Sequence, residues 1–323
     1  MNSQSSYPLP VQLRKLLILP ICLFISLSGS AANRYWVGSV LSNWNNVLNW
    51  STTSGGLPGA SVPGSSDAVI FDIGGPANCS IDATINIASI TVLAGYAGTI
   101  SQNANTISIG GAATFSGGSF IGGSANVTIA GTFILSGSPF TSTSAMLEIR
   151  GDAAFTSGSF AHNNGTVRFN GNSSQTISGI SPTFFTLEFV GKGNTYTLSS
   201  SGNITVLNDL VTSGSLFYNL AMGTIDVKGD INSGNTATGS GGDAMINING
   251  TGTQNFNGGT TAGAGALPQV TINKASGILN LTGFPAVSIA SQPRSKNCTR
   301  PAPVQSNSSE IGKPKRAKPP FAL

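Results

Sequence analysis

Along the middle of the chain, apolar residues come in pairs split by one polar residue, and the pairs recur every 20 residues. The pairs are Ile107/Ile109, Val127/Ile129, Leu147/Ile149, Val167/Phe169 and Leu187/Phe189, and each is followed by a glycine: Gly111, Gly131, Gly151, Gly171 and Gly191. A third column at the same period reads Ile100, Phe120, Phe140, Phe160, Ile180. Alternation at period two predicts short, half-buried strands rich in β-branched and aromatic residues. No apolar stripe at helical spacing survives among the 42 glycines and the many Ser, Thr and Asn residues. Equivalent strands one fixed period apart predict coils stacked in parallel, each bonded to the next at about 4.8 Å. The expected fold is therefore all-β, a right-handed parallel β-helix (β-solenoid) of about nine or more coils of ~20 residues.

The apolar pair is expected to continue as Ile204/Val206, Ile225/Val227, Ile246/Ile248 and Val270/Ile272, with loops over 233–242 and 258–265. The segments Thr166–Gln175 and Met245–Gln254 match each other, which reads as duplication of multi-coil blocks. Between the paired apolar positions lies an outward column, Ser108, Thr128, Glu148, Arg168, Glu188, whose charges alternate in sign. Such a ladder is expected to be a row of solvated pairs, each worth little. Its charged members also interrupt the regular threonine rows that an ice-binding face needs.

The ends differ from the middle. Residues 1–32 read as a secretory signal: Arg14 and Lys15, an apolar core from Leu16 to Leu27, then Ser30-Ala31-Ala32. That apolar run is too short to span a bilayer, and no second membrane segment follows. Residues 33–75 hold all three tryptophans and read as a capping segment, with residues 76–290 as the repeats. Residues 291–323 are proline-rich and basic. They are expected to be disordered, either a basic tail or the out-of-frame or truncated end of a longer repeat protein. The formal net charge of +4 resides in the ends, because residues 35–290 carry five basic and ten acidic groups. A nucleic-acid partner is excluded on that ground, since the repeats have no basic face. Removal of the signal would leave Cys79 and Cys298, at opposite ends of the repeats and too far apart in a rod to bridge.

The segments Tyr35-Trp-Val-Gly-Ser39 and Asn49-Trp-Ser51, with Ala68-Val-Ile-Phe-Asp72 after them, resemble the start of large secreted surface proteins of type IX-exporting bacteria. Thr166-Val-Arg-Phe-Asn-Gly171 and Gln175-Thr-Ile-Ser-Gly179 resemble the β-solenoid repeats of those proteins. The resemblance implies an adhesin-like or structural role at the cell surface, and supplies no catalytic residues.

Candidate chemistry is sparse. The only histidine, His162, sits in a corner without a nucleophile elbow, and no zinc ligand set is visible. No cofactor is expected. The enzymatic alternative is a polysaccharide lyase or glycoside hydrolase, by analogy of fold. It would draw its two carboxylates from Asp226, Asp230 and Asp243, with Asp226 and Asp243 meeting across adjacent coils. For a non-enzymatic rod the partners are extracellular glycans or other cell-surface components. Trp36, Trp44 and Trp50 are then the candidate aromatic platform, unless they plug the first coil. The expected function is that of an exported, cell-surface spacer or adhesive that binds by multiple weak contacts.

Overall fold

The computed structural model describes residues 31–39, 43–259 and 263–283. The signal and the basic tail expected from the sequence, and Cys298, lie outside the described residues, apart from Ala31 and Ala32. The chain is a parallel β-solenoid of about 10 turns with about 1% helix. Each coil visits three faces in turn. Face 1 begins with Ala68–Phe71, Ser89–Val92 and Ala113–Phe115, and ends at Gly241–Gly242. Face 3 runs from Ile85–Ile87 through Val127–Ile129 and Thr166–Phe169 to Leu279–Thr282. Between them lies face 2, which begins with Cys79–Ser80, Thr99–Ser101 and Ser119–Ile121.

The register places like residues over like, as the period requires. Val127 lies opposite Ile107 and Leu147, and Phe120 lies opposite Ile100 and Phe140. These residues point inward and are buried. Phe120, Phe140 and Phe160 form a column of near-parallel rings, with centroids 4.7 and 6.0 Å apart and interplanar angles of 12° and 10°. Phe115, Phe133 and Phe155 meet that column from face 1, mostly edge-on. Each such side chain contributes about 1.5–3 kcal/mol by leaving water, so the core is a continuous aromatic and aliphatic rod.

The glycine column has a steric cause, but a shorter reach than its period suggests. Gly131 and Gly151 donate their N–H groups to Gly111 O and Gly131 O, at 2.9 and 3.1 Å. A Cβ on Gly131 would lie 2.6 Å from the carbonyl carbon of Gly111. Gly171 leaves this stack: its N–H turns to Gln175 Oε1, 2.7 Å away.

From here the repeat changes face. In the early coils the tight corner, three residues between inward positions, joins face 3 to face 1, as in Ile129 to Phe133 and Ile149 to Ala153. In the late coils the same three-residue corner joins face 2 to face 3, as in Val206 to Leu210 and Val227 to Ile231. The pairs Ile204/Val206, Ile225/Val227, Ile246/Ile248 and Val270/Ile272 are therefore a face 2 column, following Phe184. They do not extend the Leu187/Phe189 column, which continues instead through Leu210 and Thr212 to Ile231 and Ser233. The two matching segments record the same shift. Gln175 Nε2 donates to Ile149 O and Gly151 O at the corner between faces 3 and 1. Gln254 makes the equivalent bonds to Val227 O and Gly229 O at the corner between faces 2 and 3. One local unit, a corner clasped by a buried glutamine, recurs one face earlier in the coil.

The cap is shorter than expected, because Ala68–Phe71 already pairs with Ser89–Val92 as a strand of the coil stack. Below it Asn33–Trp36 adds one more parallel strand, and Trp50–Ser51 closes that edge antiparallel. Antiparallel closure ends the ladder of unpaired backbone groups that an open solenoid end would present.

Candidate functional site

Trp36, Trp44 and Trp50 are 0, 1 and 0% exposed. Their rings pack edge to face at 4.7–5.2 Å and all lie within 6.2 Å of Phe71. Trp36 Nε1 donates to Ala77 O at 2.9 Å, and Trp50 Nε1 to Trp44 O at 2.7 Å. Of the two readings, the tryptophans plug the first coil, and their buried rings leave no face for a sugar. Large apolar rings at an open coil end are worth more inside than on the surface.

The three candidate aspartates do not converge. Asp226 stands on the outside of face 2, opposite Thr205 and Asn247, not opposite Asp243. Its carboxylate accepts from the side-chain amides of Asn203, Asn247 and Asn249 at 3.0, 2.6 and 3.0 Å. Asp243 precedes the next strand and accepts the Met222 N–H at 2.9 Å. Asp230 is on face 3, opposite Asp209. This in-register pair is the carboxylate couple the sequence reading missed, although its 21-residue spacing is one coil. Burial, and then the Asp230 charge, raise the Asp209 carboxyl above its ordinary value. Lys274 does not serve these acids. Its Nζ is spent on Gly250 O, Gly252 O and Gln254 Oε1, at 2.6, 3.0 and 2.6 Å, and desolvation lowers its pKa.

The charged ladder on face 3 is present but far less solvated than its position suggests. Arg168 Nε lies 2.7 Å from Glu188 Oε2, and its Nη1 lies 3.8 Å from Glu148 Oε2. Arg150 closes on Glu148 from the other side at 2.6 Å. Both glutamates are only 8% exposed, and Ser213 Oγ donates to Glu188 Oε1 at 2.6 Å. The carboxylates are thus held by hydrogen bonds in a connected network, which is a structural use of charge.

His162 stays in its corner: Nδ1 accepts the Asn164 N–H at 3.0 Å and the ring stacks on Phe185. Cys79 is buried with its thiol free, and burial raises its pKa well above the ordinary value. Among the described residues no group of three or more His, Cys, Asp or Glu side chains is placed to hold a metal ion, and no helix is long and apolar enough to cross a membrane.

The change of face leaves a defect. On face 2 the ladder runs through Phe140 and Phe160, then stops, and a second ladder starts at Thr183–Phe184. Ile180, expected in the buried column, is 54% exposed, and Phe184 takes its place beside Phe160 at 5.6 Å. A cleft of about 220 Å³ opens at this seam, walled by Phe155, Phe160, Ile180, Pro182 and Thr183 and by Ser157–Gly158. Set against family models, curated proteins and solved structures, the chain matches none.

Proposed function

We propose that the chain is an exported, adhesin-like structural rod of the cell exterior that holds extracellular glycans or other surface components by many weak contacts. The observation that supports this reading is the recurrence of the same small polar groups, in register, from coil to coil. Thr99 Oγ1 lies 2.8 Å from Ser119 Oγ, and Ser116 Oγ lies 2.7 Å from Ser136 Oγ. Further along, Asn280 donates to Asn255 and Asn255 to Asp230, at 3.0 and 2.9 Å. Like side chains one strand spacing apart offer a repetitive ligand a row of similar sites. Affinity then grows with the number engaged, without a deep pocket. The secretory pattern at residues 1–32 and the resemblance of residues 35–72 to type IX-exported surface proteins support the same location. The separation of Asp226, Asp230 and Asp243 weighs against the carboxylate set of the lyase or hydrolase alternative, and the one in-register couple, Asp209 and Asp230, is engaged by Asn208 and Asn255.

The test is density dependence. Chains displayed on beads at rising surface density should gain about 100-fold or more in retention on polysaccharide-coated or whole-cell surfaces, compared with the free chain. Retention that does not rise with density, or release of shorter saccharides from the polysaccharides, would overturn the reading.

A further inference from the structure

The geometry points to a binding site for a single neutral sugar ring in the cleft at the face 2 seam. This inference deepens the adhesive reading and rests on it for the class of ligand, but places the site away from the tryptophans. The seam leaves a strand edge open in the middle of the solenoid. The strand Ala153–Ala161 pairs along its later half with Ser136 to Thr141 of the preceding coil. On its other side it pairs only through Ala153, Ala154 and Phe155, with Ile177 to Gly179. The Ser142 N–H donates to Ala161 O at 2.8 Å. Since successive residues of a strand turn their peptide groups to opposite sides, Phe160 turns its N–H and C=O toward the cleft. Thr183–Phe184, across the gap, pairs only with the following coil.

The lining selects the chemistry of the occupant. No ionisable side chain lines the cleft, so a charged ligand would lose hydration with nothing to replace it. A wholly apolar ligand would leave the open peptide groups and the hydroxyls of Ser157 and Thr183 without partners. A ring with one apolar face and a rim of hydroxyls meets both demands. Its apolar face would lie on Phe160, Ile180 and Pro182, and its hydroxyls on the strand edge. The volume of about 220 Å³ is below the roughly 300–1,000 Å³ of sites that take larger ligands, which limits the occupant to one ring.

The experiment titrates the purified full chain with methyl glycosides of neutral hexoses, and with glucuronic acid in parallel, by saturation-transfer NMR. At least one neutral hexoside is expected to bind with a dissociation constant on the order of 1 mM, and glucuronic acid more weakly. Ile180→Trp, which fills the cleft from an exposed position, should weaken binding about tenfold or more. Ile121→Trp adds the same bulk at another half-exposed site on the same face and should leave it unchanged. Absence of neutral hexoside binding, equal binding of glucuronic acid, or full binding by Ile180→Trp would each overturn the site. The broader reading fails separately. Density-dependent adhesion that persists when no hexoside binds removes the cleft alone, whereas hexoside binding lost in Ile180→Trp, with no density dependence, keeps the cleft and removes the adhesive rod.

Discussion

The coils before the seam and the coils after it are built on the same backbone plan but filled differently. Before it, Phe115, Phe120, Phe133, Phe140, Phe155 and Phe160 make a contiguous ring cluster, and the second inward position of each face 3 pair is Ile109, Ile129 and Ile149. After it, the face 2 column is β-branched (Ile204, Val206, Ile225, Val227, Ile246, Ile248), and the inward face 3 positions turn hydroxylic at Thr212 and Ser233. These hydroxyls are buried and satisfied within the coil stack, Thr212 Oγ1 lying 3.5 Å from Ser233 Oγ and Ser233 donating on to Gly265 O. The later coils also carry the amide ladder Asp230–Asn255–Asn280 on their outer side. The early half is held by apolar area, the late half by a larger share of hydrogen bonds between coils. Apolar burial tolerates no missing volume, whereas a network tolerates no missing partner.

The contrast breaks most visibly in the ring column. Phe140 touches Phe115, Phe120, Phe133 and Phe160 at centroid distances of 4.7–6.0 Å. Phe140→Ala should cost about 3–5 kcal/mol, from lost transfer energy and from a cavity that stacked coils cannot collapse. Denaturant titration followed by circular dichroism reads this directly. A loss below about 1 kcal/mol would mean that the early half is not held by its rings.

That column was legible in the sequence, because a period of 20 needs only like residues over like. The inward pairs of face 3, from Ile107/Ile109 to Leu187/Phe189, were legible for the same reason. What was not legible is which face a pair occupies once the spacing loosens. Ile204/Val206 has the same local pattern as Leu187/Phe189, and only the step of 17 residues from Leu187 to Ile204, in place of 20, tells that the pair has moved to another face, with the face 1 strand Asn194–Ser200 between them. The same ambiguity hid the Asp209–Asp230 pair and misplaced Asp226 against Asp243. Burial of Glu148 and Glu188 was hidden for a different reason. Alternation says that a side chain points out of the coil, not what neighbouring arginine, asparagine and serine side chains then cover it.

Arg168 sharpens the comparison where the two halves meet, because its network runs from Glu148 before the seam to Glu188 and Ser213 after it. It sits between two carboxylates whose side chains are 10–11% exposed, and is itself 30% exposed. Arg168→Met should destabilise by about 3 kcal/mol, since it leaves Glu188 with Ser213 alone and Glu148 with Arg150 and Asn170. Adding Glu188→Gln should recover part of that loss, because the residual cost is an uncompensated charge rather than missing packing. A double variant no more stable than Arg168→Met would refute the network and leave the arginine stem as the cause.

The smallest expected effect runs the other way and belongs to the late half. Asp209 and Asp230 stand directly opposite on adjacent strands, where like charges repel. Asp230 has its own donors, the Asn255 N–H and side-chain amide at 2.8 and 2.9 Å, while Asp209 is held by Asn208 Nδ2 alone, at 2.9 Å. Its folded pKa lies above the ordinary 3.8, so the folded chain holds this proton more tightly than the unfolded one. Stability from this group is therefore greatest below the unfolded value and falls as pH rises through the folded one, leaving a penalty at neutral pH. Asp209→Asn removes the repulsion and extends the amide ladder by one rung. It should stabilise the rod by about 0.5 kcal/mol at pH 7, with the advantage over the parent vanishing below about pH 3.8. Thermal melts of both chains at several pH values give the difference. An advantage that persists unchanged at pH 3 would locate the gain in the amide's hydrogen bonds, and would remove the repulsion between Asp209 and Asp230 as a weakness of the late coils.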